Sequence, residues 1–128
     1  MTILKSVTVG VTTTGSAGSA TGNADSSLFV GEIVGIAINY DANAPATTDV
    51  VIKDKRTGVE ILRINNANTD VYKTPRSKAV DAANANLLSS DANGVWATPY
   101  CVDQGVNVDV AGGNSITNHC VATIFYRK

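Results

Sequence analysis

The stretch LFVGEIVGIAINYD, residues 28–41, is apolar on both sides of a two-residue repeat. Leu28, Val30, Val34, Ile36 and Ile38 share one side; Phe29, Ile33 and Ala37 share the other. A strand of this kind is central and covered on both faces, by a facing sheet or by a neighbouring subunit. Gly31 and Gly35 let another backbone or a large side chain approach, or mark a bulge. No other feature restricts the fold as much, because a doubly covered strand needs layers built around it.

Shorter patterns agree with a β-rich chain. In residues 2–13, Ile3, Val7, Val9 and Val11 alternate with polar or small partners. DVVIKDKRTGVEILRIN, residues 49–65, reads as a hairpin reversed by Lys55-Arg56-Thr57-Gly58, with Gly58 free to take positive φ. That fold sets Ile52 opposite Ile61 and Lys53 opposite Glu60, the second as a cross-strand ion pair. Near the end, Val106, Val108 and Val110 alternate with Asn107 and Asp109. Gly112-Gly113-Asn114 turns the chain, and Ile116 to Tyr126 runs back. The abundance of Thr, Ser, Asn, Ala, Val and Gly suits strands and tight turns better than helices.

Two segments are less regular. GSAGSATGNADSS, residues 15–27, has one charge and no large apolar side chain, so burial cannot repay its ordering entropy. The region of about 12–27 is expected to be a flexible low-complexity segment, ordering only against a partner. Residues 66–99 are rich in Asn, Ala, Asp and Ser. Within them, residues 77–90 form either one short helix capped by Ser77, with Val80, Ala83, Leu87 and Leu88 on a stripe, or a long loop.

The 128 residues suit one domain, 1–128, with a core that needs no metal or disulfide staple. Ten basic and eleven acidic side chains, mostly scattered, argue against a nucleic-acid surface. No apolar run is long enough to span a membrane, and MTILKSVTVGV does not read as a secretory leader. Two cysteines without such a leader are expected as free thiols.

Candidate chemistry is thin. His119 and Cys120 are adjacent, and consecutive strand residues point to opposite faces. Cys120 is expected inside and the imidazole outside, which suits neither a Cys/His nucleophile pair nor a four-ligand zinc site. No pair of acids stands out for glycosidase chemistry. Asp41-Ala42-Asn43 and Asp91-Ala92-Asn93 begin like calcium loops and do not continue as one. Gly15, Gly18 and Gly22 lack the Lys-Ser/Thr of a phosphate loop. The sequence therefore points to no active site and no cofactor.

Several pieces together resemble the small β-sandwich decoration, or cement, proteins of tailed bacteriophages. They are Gly31-Glu32-Ile33-Val34-Gly35-Ile36 ending in Asn39-Tyr40-Asp41, and the hairpin Asp49-Val50-Val51-Ile52 with Gly58-Val59-Glu60-Ile61-Leu62. Tyr72-Lys73-Thr74-Pro75-Arg76 looks like the Tyr-Pro-Arg segment that opens a long loop in such proteins, with Lys73 and Thr74 inserted. The ending, Gly105 to Val110, a Gly-Gly turn and Val121 to Tyr126, completes the likeness over residues 28–126.

The resemblance implies an all-β antiparallel sandwich, jelly-roll-like, in a homotrimer. It implies a non-enzymatic virion protein, made in the bacterial cytoplasm, that sits on the capsid surface, binds the major capsid protein and stabilises the head. Thr12, Ser16 and Asn23 of the early segment, with Tyr72, Arg76, Trp96 and Tyr100 of the long loop, are the candidate partner contacts. The alternative is a receptor- or carbohydrate-binding module of a tail fibre, presenting loops around Trp96 and Tyr100.

Overall fold

A computed structural model describes residues 3–78, 80, 82–85 and 97–128. The strands among them are β1 (Leu4–Val11), β2 (Ala20–Asp25), β3 (Gly31–Tyr40), β4 (Asp49–Asp54), β5 (Glu60–Ile64), β6 (Val71–Lys73), β7 (Arg76–Lys78), β8 (Ala97–Pro99), β9 (Cys101–Val102), β10 (Val106–Gly113) and β11 (Cys120–Arg127). The first sheet has the order β1-β11-β3-β6, with β9 added beside the start of β3. The second has the order β2-β10-β4-β5, and β7 and β8 form a separate ribbon. Every pairing among these strands is antiparallel.

The topology is that of a jelly roll. With β7, β8 and β9 set aside, the chain folds like one long hairpin: β1 on β11, β2 on β10, β3 on β6, β4 on β5. Successive pairs fall in alternate sheets. Rolling the hairpin brings β11 against β3 and β10 against β4, which closes each sheet. The core lies between the two layers. It is filled by Val9 and Val11, Ile36 and Ile38, Val50 and Ile52, Val106, Val108 and Val110, and Cys120, Ala122 and Ile124.

The long apolar strand does not keep a single repeat. Gly35 stands opposite Phe125 and Ile33 opposite Tyr126, so Val34 is an extra residue in a β-bulge. The bulge shifts the phase and puts Ile33 into the same core as Ile36 and Ile38, all fully buried. Leu28 and Val30, expected on the face of Ile36, precede β3 and are 72% and 55% exposed. Phe29 is buried instead, its ring stacked on Tyr126 at 4.3 Å.

The hairpin of residues 49–65 forms, with Gly58 at φ 74° and Lys53 opposite Glu60. A bulge at Ile61 places Ile52 opposite Leu62 rather than Ile61. The bulge also brings Glu60 and Arg63 to one face, where Arg63 Nε donates to Glu60 at 2.8 Å. Lys53 turns to Asp109 on β10, at 3.5 Å. The expected Lys53–Glu60 ion pair is thus replaced by two others.

Part of the segment expected to be flexible is a strand. β2 pairs with β10 from Asn107↔Asp25 to Gly113↔Ala20, and Thr14 bridges Thr21 across a turn. Its small side chains bury little, and main-chain bonds to β10 hold it instead. Thr13 is buried just before the turn, its hydroxyl donating to the carbonyl of Asn114.

Ser77 lies in β7 opposite Thr98 and caps no helix. No helix occurs among the described residues; Leu87, Leu88 and Trp96 lie outside them. The Gly112-Gly113 pair, expected as a turn, closes β10, and the chain reverses over 114–119 with Asn118 at φ 51°.

Candidate interaction surface

Alternation along the strands gives each sheet an outer face. On the first sheet, pairing lines up three rows: Gly10–Val121–Asn39, Thr8–Thr123–Ala37–Tyr72, and Ser6–Phe125–Gly35. None of these side chains is charged. The ring of Tyr72 lies over Gly35 and leaves no room for a Cβ there. It also tilts against Phe125, with centroids 6.2 Å apart. Charge returns only at the margins. Arg127 pairs with Glu32 at 2.7 Å at one end, and Arg76 flanks β3.

Arg76 has a defined role there. The Arg76 guanidinium donates to the carbonyl of Val34, the extra residue of the bulge, from Nη1 and Nη2 at 3.3 and 3.4 Å, and Nη1 also donates to the Pro75 carbonyl at 2.8 Å. Tyr72 and Arg76 therefore meet around Val34 and Gly35.

The second sheet presents the opposite character. Asp25, Asn107, Lys53 and Glu60 form one outer row, and Asn23, Asp109, Val51 and Arg63 another. Ion pairs lace them: Lys53–Asp109 at 3.5 Å, Lys55–Asp25 at 3.4 Å and Arg63–Glu60 at 2.8 Å. Hydrogen bonding from Asn107 holds the Asp25 carboxyl below its usual range, and Arg63 does the same for Glu60. Such a face is satisfied by its own charges and by water.

The other candidate contacts are dispersed. Thr12 is exposed at the end of β1, its hydroxyl accepting from Asn118 N–H at 3.2 Å. Ser16 is exposed in the following turn, and Asn23 sits on the charged face. Tyr100 is half-buried against the core, and its carbonyl accepts from Ile33 N–H at 2.8 Å. Trp96 lies outside the described residues. The uncharged rows on β1 and β11 were missed in the sequence, although Ser6, Thr8, Val121 and Thr123 alternate there with buried valines, alanine and isoleucine.

Compared with known proteins, the sequence matches no family model and no curated protein.

The His119–Cys120 pair is corrected by the structure. The imidazole is fully buried, and its Nδ1 lies 3.3 Å from the Cys120 sulfur. β11 begins only at Cys120, so strand alternation does not govern His119. The ring tucks under Gly113, where a Cβ would stand 2.6 Å from Nε2. Contact does not make the pair reactive. Burial pushes the Cys120 thiol up to about 12 and holds the imidazole below its ordinary value, so both stay neutral. Nε2 and the Tyr40 hydroxyl are buried and have no hydrogen-bond partner among the described residues. Both cysteines are free, Cys101 at the surface.

An open cleft of about 520 Å³ lies between the start of β3, the β4–β5 loop and β9. Its acids are engaged: Glu32 by Arg127, Asp103 by Arg56, and Asp54 by the amides of its own turn. Among the described residues, no three His, Cys, Asp or Glu side chains gather as metal ligands.

Proposed function

We propose that this chain is a non-enzymatic structural protein of a bacteriophage virion, a decoration protein that docks on the major capsid protein and braces the head. The carrying observation is the contrast between the two outer faces. One is laced with ion pairs and suits water; the other is uncharged and rich in small side chains. An uncharged face loses little solvation when covered, which favours a docking footprint there.

The fold supports the reading without carrying it. Jelly rolls build capsid proteins and also lectins, and fold alone does not name a function. Two packed sheets supply the rigidity that bracing needs. The footprint measures roughly 350 Å² from strand spacing and rise. A specific interface buries about 800 Å² per partner. One copy would bind weakly, and a homotrimer of the kind the resemblance implies would gain by multivalency.

The test is co-sedimentation of the protein with empty phage capsids. Binding is expected, with capsids that resist heat or pressure better when decorated. Thr123→Lys in the uncharged face should abolish binding, and Asn23→Lys in the charged face should leave it intact. Equal loss from both substitutions, or from neither, would overturn this footprint. Failure to bind any capsid, together with binding to host cells or glycans, would assign the receptor-binding alternative.

A further inference from the structure

An open sheet edge displays unpaired main-chain groups, and proteins blunt such edges with short strands, charges, prolines or bulges. Three regions of this sandwich follow that rule. β5 has a bulge at Ile61 and carries Glu60 and Arg63. β6 and β9 are three and two residues long. β2 has its Gly22 close against the carbonyl of Thr12 and pairs with β10 through a register shift. β1 is the exception. It runs eight residues, pairs with β11 without a shift, contains no proline, and carries only Lys5 as a charge.

The hydrogen bonds show which of its groups are free. Val11 C=O accepts from His119 N–H at 2.8 Å and Ile3 C=O from Lys128 N–H at 3.3 Å, both on the β11 side. Main-chain groups of successive residues point to opposite edges. The odd positions therefore face β11, and Leu4, Ser6, Thr8 and Gly10 face away. These four residues are exposed, and among the described residues nothing pairs with their main chain on the free side.

We infer that β1 pairs antiparallel with β1 of a second copy of this chain, about a twofold axis at Val7. In that register each free N–H of the even positions meets a free carbonyl. Ser6 stands opposite Thr8 of the partner subunit, a hydroxyl pair of the type that favours strand pairing. Leu4 stands opposite Gly10 of the partner subunit, where the partner subunit's Asn118 side chain lies over the glycine and must turn aside to admit it. Lys5 faces Val9 of the partner subunit, so the two lysines do not oppose each other. The contact is self-complementary, as a twofold requires.

Area also favours a second copy. The two uncharged faces become one continuous eight-stranded face of roughly 700 Å², twice the single-copy figure. That approaches the ~800 Å² per partner of a specific interface. The pairing stands on the edge geometry of the isolated chain and goes beyond the decoration reading; only the area argument rests on that reading, and the pairing can hold without it. A trimer built through another surface would be linked to a second trimer by this contact.

The test is the solution mass of the full chain by sedimentation at high protein concentration, with hydrogen exchange of the β1 amides. An even multiple of the chain mass is expected, with slow exchange at Leu4, Ser6, Thr8 and Gly10. Thr8→Pro removes an N–H that β11 does not use, and should halve the mass and speed exchange at the other three. Should that variant not fold, Ser6→Lys with Thr8→Lys sets lysines opposite lysines and should halve the mass likewise. A monomer or a trimer with fast-exchanging amides at these positions overturns the pairing. So does a monomer whose amides slow only when empty capsids are added, which would give the edge to a strand of the shell.

Discussion

The ring of Tyr72 covers the main chain of Gly35 so closely that no side chain fits beneath it. This contact joins the edge strand β6 to the bulge of β3, where Arg76 holds the carbonyl of Val34. One glycine thereby sets the shape of the uncharged face at its margin.

Gly35→Ala should displace Tyr72 and cost about 1–3 kcal/mol by overpacking. Adding Tyr72→Ala should recover much of that loss, since the clash then has no second party. Thermal melts of both single variants and the double variant measure the coupling. Purely additive losses would show that the ring does not rest on Gly35.

Ile124 is fully buried between the sheets, and Thr123 beside it faces outward. Ile124→Ala should cost about 2–5 kcal/mol through lost burial and the cavity left behind. Thr123→Ala should stay within about 0.5 kcal/mol, as an outward position. Urea denaturation of the two variants distinguishes core from face within one strand.

Stability should depend on His119 between neutral and mildly acid pH. Burial keeps the imidazole below its ordinary 6.5, opposed only in part by Asp41. The unfolded chain then takes up the proton first, so stability is full above 6.5 and falls as pH drops through that value. Urea midpoints should decline from pH about 7.5 to about 5.5, across the ordinary histidine range. That decline should flatten in His119→Gln. An equal slope in both proteins would show the imidazole to be solvated.

The two thiols should differ in reactivity. Cys101 is exposed, whereas Cys120 is buried with its thiol pushed up to about 12. A maleimide at neutral pH should label one site quickly and the second only on unfolding. Cys101→Ser should remove the fast label, read by intact mass. Fast labelling of Cys120 in the folded variant would contradict its burial.

Much of the all-β character was legible in the sequence because strand alternation is a local property. Val106, Val108 and Val110 declare a buried side without knowledge of their neighbours, and Gly58 marks the reversal between β4 and β5 from its position alone. What lay beyond reach depended on the strand alongside. The bulge at Val34 is defined only against Phe125 and Tyr126, and it returns Ile33 to the core against the two-residue count. β2 has almost nothing to bury, so no side-chain pattern announces it; β10 supplies the hydrogen bonds that make it a strand.

The candidate surface divides in the same way. The sequence by itself determined that Ser6, Thr8, Val121 and Thr123 are uncharged and alternate with apolar partners. Only the tertiary structure placed them in adjoining rows, gathered Asp25, Lys53, Asp109, Glu60 and Arg63 onto the other sheet, and turned His119 inward beneath Gly113. The physical reason is that a strand chooses its own two faces, while pairing with distant strands chooses what stands beside each face.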